Sequence, residues 1–157
     1  MGNCVACMVK IHNKTDVYLL KPYKNKFEWG RLKYETEGND VIYPNQTSIK
    51  AVQGRTGSPS GVKDSFTFEV VHQDNNIKIG QIELIFDVPY DTNIHTRSVN
   101  FKITNYSNVI IKIDTAEKWG GHGNGESLYK FFITYENPTV SIESRLRSKK
   151  GDQYYQR

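Results

Sequence analysis

Few side chains in this chain of 157 residues are spaced for catalysis. The four histidines, His12, His72, His95 and His122, fall in no HxH or HExxH pattern, so no metal site is expected from spacing. The run Trp119-Gly120-Gly121-His122-Gly123-Asn124-Gly125 is as rich in glycine as a phosphate-binding loop, but no Gly-Lys-Ser/Thr follows it and no helix is expected after it. It reads as an inter-strand loop, or as a ligand-contacting loop in which Trp119 and His122 line a headgroup pocket. Ser58 and Ser60 have no histidine nearby in sequence and no Gly-x-Ser-x-Gly elbow. The expectation is therefore no enzyme, no cofactor and no metal.

The amino terminus has chemistry of another kind. Met1-Gly2-Asn3-Cys4 looks like an acylation signal, with Ala6 where Ser or Thr is expected. Acyl chains on Gly2 and on Cys4 or Cys7 would provide the two anchors that stable membrane attachment needs. Incidental thiols, redox or intermolecular pairing are the other readings of Cys4 and Cys7, and no second cysteine pair exists to complete a metal site. No cysteine is expected in the core.

Aromatic residues are the stronger clue. Ten Tyr, seven Phe and two Trp are present, and Tyr23, Phe27, Trp29, Tyr43, Tyr90, Tyr106 and Trp119 lie at or beside expected loops. Tyr and Trp join an apolar body to a polar tip and partition to membrane interfaces. A cluster of them could dip into lipid, or close around an ammonium headgroup through cation–π contacts of about 0.5 to 2 kcal/mol each. The alternative for any one of them is that it caps the core at a strand end.

The elements that must position these residues are strands. Alternation puts Phe66, Phe68 and Val70 on one face, then Ile82, Leu84, Phe86 and Val88, then Val99, Phe101 and Ile103, then Val109, Ile111 and Ile113. Candidate strands are Met8 to His12, Val17 to Leu20, Arg31 to Glu35, Thr47 to Val52, Ser65 to His72, Lys78 to Val88, Ser98 to Thr104, Val109 to Asp114 and Leu128 to Tyr135. Polar, turn-prone clusters separate several of them, among them Gln73-Asp74-Asn75-Asn76 and Asn105-Tyr106-Ser107-Asn108. The fold class is all-β: a single antiparallel β-sandwich of about nine strands. Residues 1–8 form an N-terminal segment, 9–140 the sandwich and 141–157 a basic, flexible tail.

Composition bounds the partners. The net charge is +4, of which +3 falls from Ser141 onward, where five basic residues oppose Glu143 and Asp152. A nucleic-acid partner is not expected, because its binding face would place basic residues on the folded domain rather than on a tail. The tail reads as a solvated end, or as a segment drawn to anionic lipid. Apolar residues make up 37% of the chain, and no apolar run approaches the roughly 18 to 20 residues of a spanning helix. No secretory signal is visible, so the protein is expected to be made soluble and the sequons at Asn13, Asn45 and Asn105 to go unused.

Six pieces, in this order, carry a resemblance: Ile11-His12-Asn13, Trp29-Gly30-Arg31, Gly54-Arg55, Gly61 to Phe66, the strand end Phe86-Asp87-Val88-Pro89-Tyr90, and a late strand. Over about residues 9–136 the chain resembles the aegerolysin family, small β-sandwich proteins that bind membrane lipids. It is similar to the small subunits of certain binary insecticidal toxins of bacteria. The resemblance implies recognition of a membrane lipid, often a sphingolipid, and recruitment of a larger pore-forming partner, with action at the membrane surface of a target cell. Trp29 matches a family tryptophan near the lipid-binding surface, whereas Phe86, Val88 and Tyr90 replace the Trp, Cys and Trp common in fungal members. Taken with the loop aromatics and the glycine-rich loop above, the candidate lipid-binding set is Trp29, Arg31, Tyr90, Trp119, His122, Tyr23 and Phe27. Leu84 to Asp91 is also similar to a strand end of the actinoporin-like group, which pierces membranes alone. A sugar-binding sandwich lectin would use the same Tyr and Trp platforms.

Overall fold

The alternating segments become strands that turn their apolar faces inward, and one of them is buried on both faces from Asp64 to Phe68. The computed structural model describes residues 6–27, 30–32, 40–54, 62–88, 98–118 and 126–138. Nine strands lie among them: β1 (Ala6–Asn13), β2 (Tyr18–Phe27), β3 (Gly30–Leu32), β4 (Thr47–Gly54), β5 (Val62–His72), β6 (Lys78–Val88), β7 (Ser98–Asn105), β8 (Ile110–Lys118) and β9 (Glu126–Glu136). They form two sheets, in the orders β3-β4-β1-β9-β8 and β2-β5-β6-β7. The all-β sandwich is thus the observed architecture. All pairs are antiparallel except β1 with β9, which run parallel from Ala6↔Glu126 to Asn13↔Ile133. These two strands are distant in sequence, so no tight hairpin forces them to oppose one another.

Between the sheets, Val9, Ile11, Tyr129, Phe131 and Ile133 face Phe66, Phe68, Ile82, Leu84 and Phe86, all at 1% exposure or less. Each such side chain contributes about 1.5 to 3 kcal/mol of transfer free energy. Phe86 links the layers, with ring centroids 5.5 Å from Phe66 and 6.0 Å from Tyr129. The sheets close tightly at one point. A Cβ on Gly80 would overlap the Thr104 carbonyl oxygen and stand 2.5 Å from Ile111 Cδ1, so glycine there lets β8 approach the four-stranded sheet.

Three differences from the sequence reading have clear causes. First, β1 begins at Ala6 rather than Met8, and its odd positions point inward; Cys7 is therefore a core residue at 1% exposure. The core does contain a cysteine, and its buried thiol is not open to acylation in the folded domain. Second, β2 runs to Phe27 rather than stopping at Leu20, through Lys21-Pro22-Tyr23-Lys24 and a bulge at Pro22/Lys24. As an edge strand with a bulge it tolerates a residue without an N–H. Third, Ile42, in what read as a connection, is buried and exchanges two backbone hydrogen bonds with Leu20.

Candidate functional site

Strand register decides which candidate residues can share a surface. Gly30 pairs with Gly54, Ala6 with both Gln53 and Glu126, and Lys118 with Leu128, so these ends of the five-stranded sheet coincide. In the other sheet Phe27 pairs with Asp64, Val62 with Val88 and Ser98 with Asp87. The two sets lie at the same end of the sandwich, because the Tyr129 hydroxyl reaches across to donate to the Asp87 carbonyl at 3.3 Å. The strand ends from which the chain enters and leaves 28–29, 55–61, 89–97 and 119–125 are therefore gathered at one end. Trp29, Tyr90, Trp119 and His122 fall in those segments and lie outside the described residues, as do Gly2, Cys4 and the basic 141–157. Phe27 closes β2 and Arg31 lies in β3, both at this end.

Other aromatic candidates are elsewhere. Tyr23, 59% exposed, sits within β2 beside its bulge rather than at a loop. Tyr43 and Tyr106, each about half exposed, belong to the opposite end, with the 13–18, 73–77 and 105–109 connections. Tyr43 also lines a shallow open groove of about 540 Å³ with Asp40, Gln46 and Ile49. The set of seven loop aromatics read from the sequence is thus divided by the fold.

Beneath the gathered ends lie charged groups that the sequence reading missed. Lys50 on β4 is fully buried on the inner face, its Nζ 5.5 Å from the centroid of the Phe66 ring. Asp64 on β5, in inward phase with Phe66 and Phe68, is 4% exposed. Charged groups enter an interior only with compensating partners, and the aromatic face supplies one such contact to the ammonium. The only signal in the sequence is a lysine in phase with Val52 on a short strand, too slight to assign a face.

The opposite end is built from neutral hydrogen bonds. Buried Asn13 donates through Nδ2 to the carbonyls of Tyr18 at 2.8 Å and Ile42 at 3.0 Å. Its Oδ1 accepts from the Thr15 hydroxyl at 2.7 Å and the Thr15 N–H at 3.1 Å. With its amide fully engaged, Asn13 cannot carry a glycan in the folded state. Nearby, Tyr135 donates to Asp16 Oδ1 at 2.7 Å, and this bond, burial and the carboxylate charge push its phenol up to about 12. Burial also raises Tyr18, whose ring meets Tyr135 edge-on at 4.8 Å, and Asp16 adds to that rise. On the outer face of the five-stranded sheet, His12 stacks on Phe132 at 4.6 Å, and its Nδ1 lies 2.8 Å from Thr47 Oγ1. Burial lowers its pKa first, then the charges of Lys14, Lys130 and Lys10. Among the described residues no three His, Cys, Asp or Glu side chains are placed to hold a metal ion.

This sandwich is shared with solved structures. The RahU protein, crystallised in complex with a TRIS molecule, matches at 19% identity with a TM-score of 0.52, over 85% of this chain and 98% of that one. The lipid binding protein Nakanori matches at 9% identity with a TM-score of 0.61, over 83% of this chain and 71% of that one. IP-1A from Alcaligenes faecalis matches at 17% identity with a TM-score of 0.52, over 83% and 89%. At these identities the likeness is one of fold. No family model matches the chain. No curated protein matches it either.

Proposed function

We propose that this protein binds a membrane lipid through the end of the sandwich to which the Trp29, Tyr90 and Trp119–His122 segments are attached. The observation that carries the reading is the gathering of those strand ends, which register within each sheet and the Tyr129–Asp87 hydrogen bond between the sheets bring together from distant parts of the chain. Interfacial aromatics on one end of a rigid scaffold can enter a bilayer together, and their contributions then add. The fold likeness to a protein described as lipid binding agrees with this reading. Within it the lipid is a sphingolipid, the protein is the recognition component of a two-component pore-forming system, and a larger partner makes the pore. Its action is binding at a membrane surface rather than catalysis.

The test is sedimentation with vesicles of phosphatidylcholine, with and without sphingomyelin, alongside dye release. Trp29→Ala and Tyr90→Ala should each lower binding about 5- to 30-fold, the loss of about 1 to 2 kcal/mol per buried aromatic, while the circular-dichroism spectrum is kept. Tyr106→Ser, at the opposite end, should leave binding unchanged. Binding without leakage supports a subunit that awaits a partner, whereas leakage by the protein alone would favour the actinoporin-like mechanism. No binding to any composition, or equal binding by all variants, would overturn the reading and turn attention to glycans.

A further inference from the structure

The outer face of the five-stranded sheet is not an ordinary polar surface. Its register sets Met8, Leu128 and Lys118 in one row across β1, β9 and β8. The next row places Ile49 of β4 beside Lys10 of β1, and Lys10 beside Lys130 of β9. These two rows adjoin the end that carries the candidate segments. Among the described side chains they hold three lysines and no acid, interleaved with large apolar groups; Ile49 is 46% exposed. Glu126 pairs with Ala6 in the row at the very end of the sheet, and among the described side chains the acids of this face lie farther along: Asp114 pairs in register with Phe132, and Glu136 forms an ion pair with Lys112 at 2.9 Å.

Lys10 and Lys130 are direct cross-strand neighbours. Like charges in that position destabilise a sheet. Among the described residues neither has an ion-pair partner. Their field is felt at His12, on the same face, whose pKa is lowered first by burial and then by Lys14, Lys130 and Lys10. A folded domain that sets two ammonium groups side by side, with apolar groups in the same and the neighbouring row, is suited to a surface that is both anionic and apolar. That combination describes the headgroup layer of a charged bilayer.

We infer that this half of the sheet face is a second membrane contact, which takes the phosphates of anionic phospholipids on Lys10, Lys130 and Lys118 while Met8, Leu128 and Ile49 meet the lipid below them. It rests on the membrane-binding reading above but on different residues and a different lipid chemistry. The array is electrostatic, so it is sensitive to salt. The aromatic end is not expected to share that sensitivity.

Vesicles of phosphatidylcholine with phosphatidylserine, and separately with sphingomyelin, distinguish the two contacts. The full chain carrying Lys10→Gln and Lys130→Gln should bind phosphatidylserine vesicles about 30-fold more weakly, at about fivefold per lysine, with a shallower salt dependence. Its binding to sphingomyelin vesicles should be unchanged. Its thermal midpoint should not fall, because the like-charge pair is removed. Equal binding of the variant and the parent to phosphatidylserine would overturn the inference and assign any charge dependence to other residues, such as the basic 141–157. A parent protein that does not prefer phosphatidylserine would also overturn it. So would a dimer in solution that the two substitutions dissociate, which would give the face to a second copy. Lysine-dependent binding to phosphatidylserine with no binding to sphingomyelin, and no effect of Trp29→Ala, would sink the aromatic-end reading and leave this one standing.

Discussion

At Asn13 one amide satisfies three other residues at once, and no other side chain has the same two donors and one acceptor at that reach. Asn13→Ala would leave the buried Thr15 N–H without its acceptor and take one of two bonds from each of the Tyr18 and Ile42 carbonyls, which keep the Thr15 hydroxyl at 3.0 Å and the Leu20 N–H at 2.9 Å. Unmet buried groups cost about 1 to 3 kcal/mol each, partly relieved by relaxation, so a total loss of about 2 to 4 kcal/mol is expected in urea unfolding. Tyr135 gives a second prediction, in pH. Its phenol titrates near 12 in the folded protein against an ordinary 10, so the neutral form is favoured by folding. The stability this supplies is fully present below pH 10 and is lost as pH rises from 10 to 12. Asp16→Asn should bring the phenol down toward 10 in an alkaline absorbance titration, and the stability gap between parent and variant should shrink across that window. An unchanged titration would refute the role given to Asp16.

Element by element, packing is regulated by small departures from regular strand. The bulge in β2 lets a segment with four polar residues and a proline remain paired to β5. Gly80 does the same for sheet-to-sheet distance. Gly80→Ala should destabilise the domain by about 1 to 3 kcal/mol through overpacking against the Thr104 carbonyl and Ile111. Ile111→Val removes the Cδ1 that the new methyl would strike, so the double variant should recover part of the loss. Strict additivity of the two changes in a thermal-unfolding cycle would show that they do not meet. Face assignment in β4 is another matter of element rather than residue. Alternation alone would bury Ile49 with Ala51, yet Ile49 is exposed and Lys50 has no exposed surface. A one-residue shift of phase exchanges the two faces of a strand, and β4 takes its phase from pairing with β1, where Val9 is opposite Lys50.

For the molecule as a whole, the two ends of the sandwich differ in kind. One is closed by the Asn13 network and the Tyr18–Tyr135–Asp16 contacts, which consume their polar groups internally. The other gathers the strand ends that lead to Trp29, Tyr90 and Trp119, above buried Lys50 and Asp64. The cationic half of the outer sheet face adjoins that second end. A membrane approached by this end would meet aromatic and cationic groups together, so variants at the two surfaces should lose binding in different lipids, while Tyr106→Ser should lose none. If instead Tyr106→Ser weakened binding and Trp29→Ala did not, the molecule would have to be turned over.

Much of the fold was legible in the sequence. All nine strands were, and Lys78 to Val88 was placed with the bounds of β6, because a half-buried strand writes its own period-two pattern and its turns write their own residues. The inward faces of β5, β6 and β8 followed for the same local reason. Of the candidate site, the residue types were legible and their grouping was not. Only the tertiary structure decided that Tyr43 and Tyr106 belong to one end and the Trp29, Tyr90 and Trp119 attachments to the other, that Cys7 and Lys50 are interior, and that Lys10 stands beside Lys130. Each of these is set by pairing between residues tens of positions apart, and such pairing leaves no periodic trace in the local sequence.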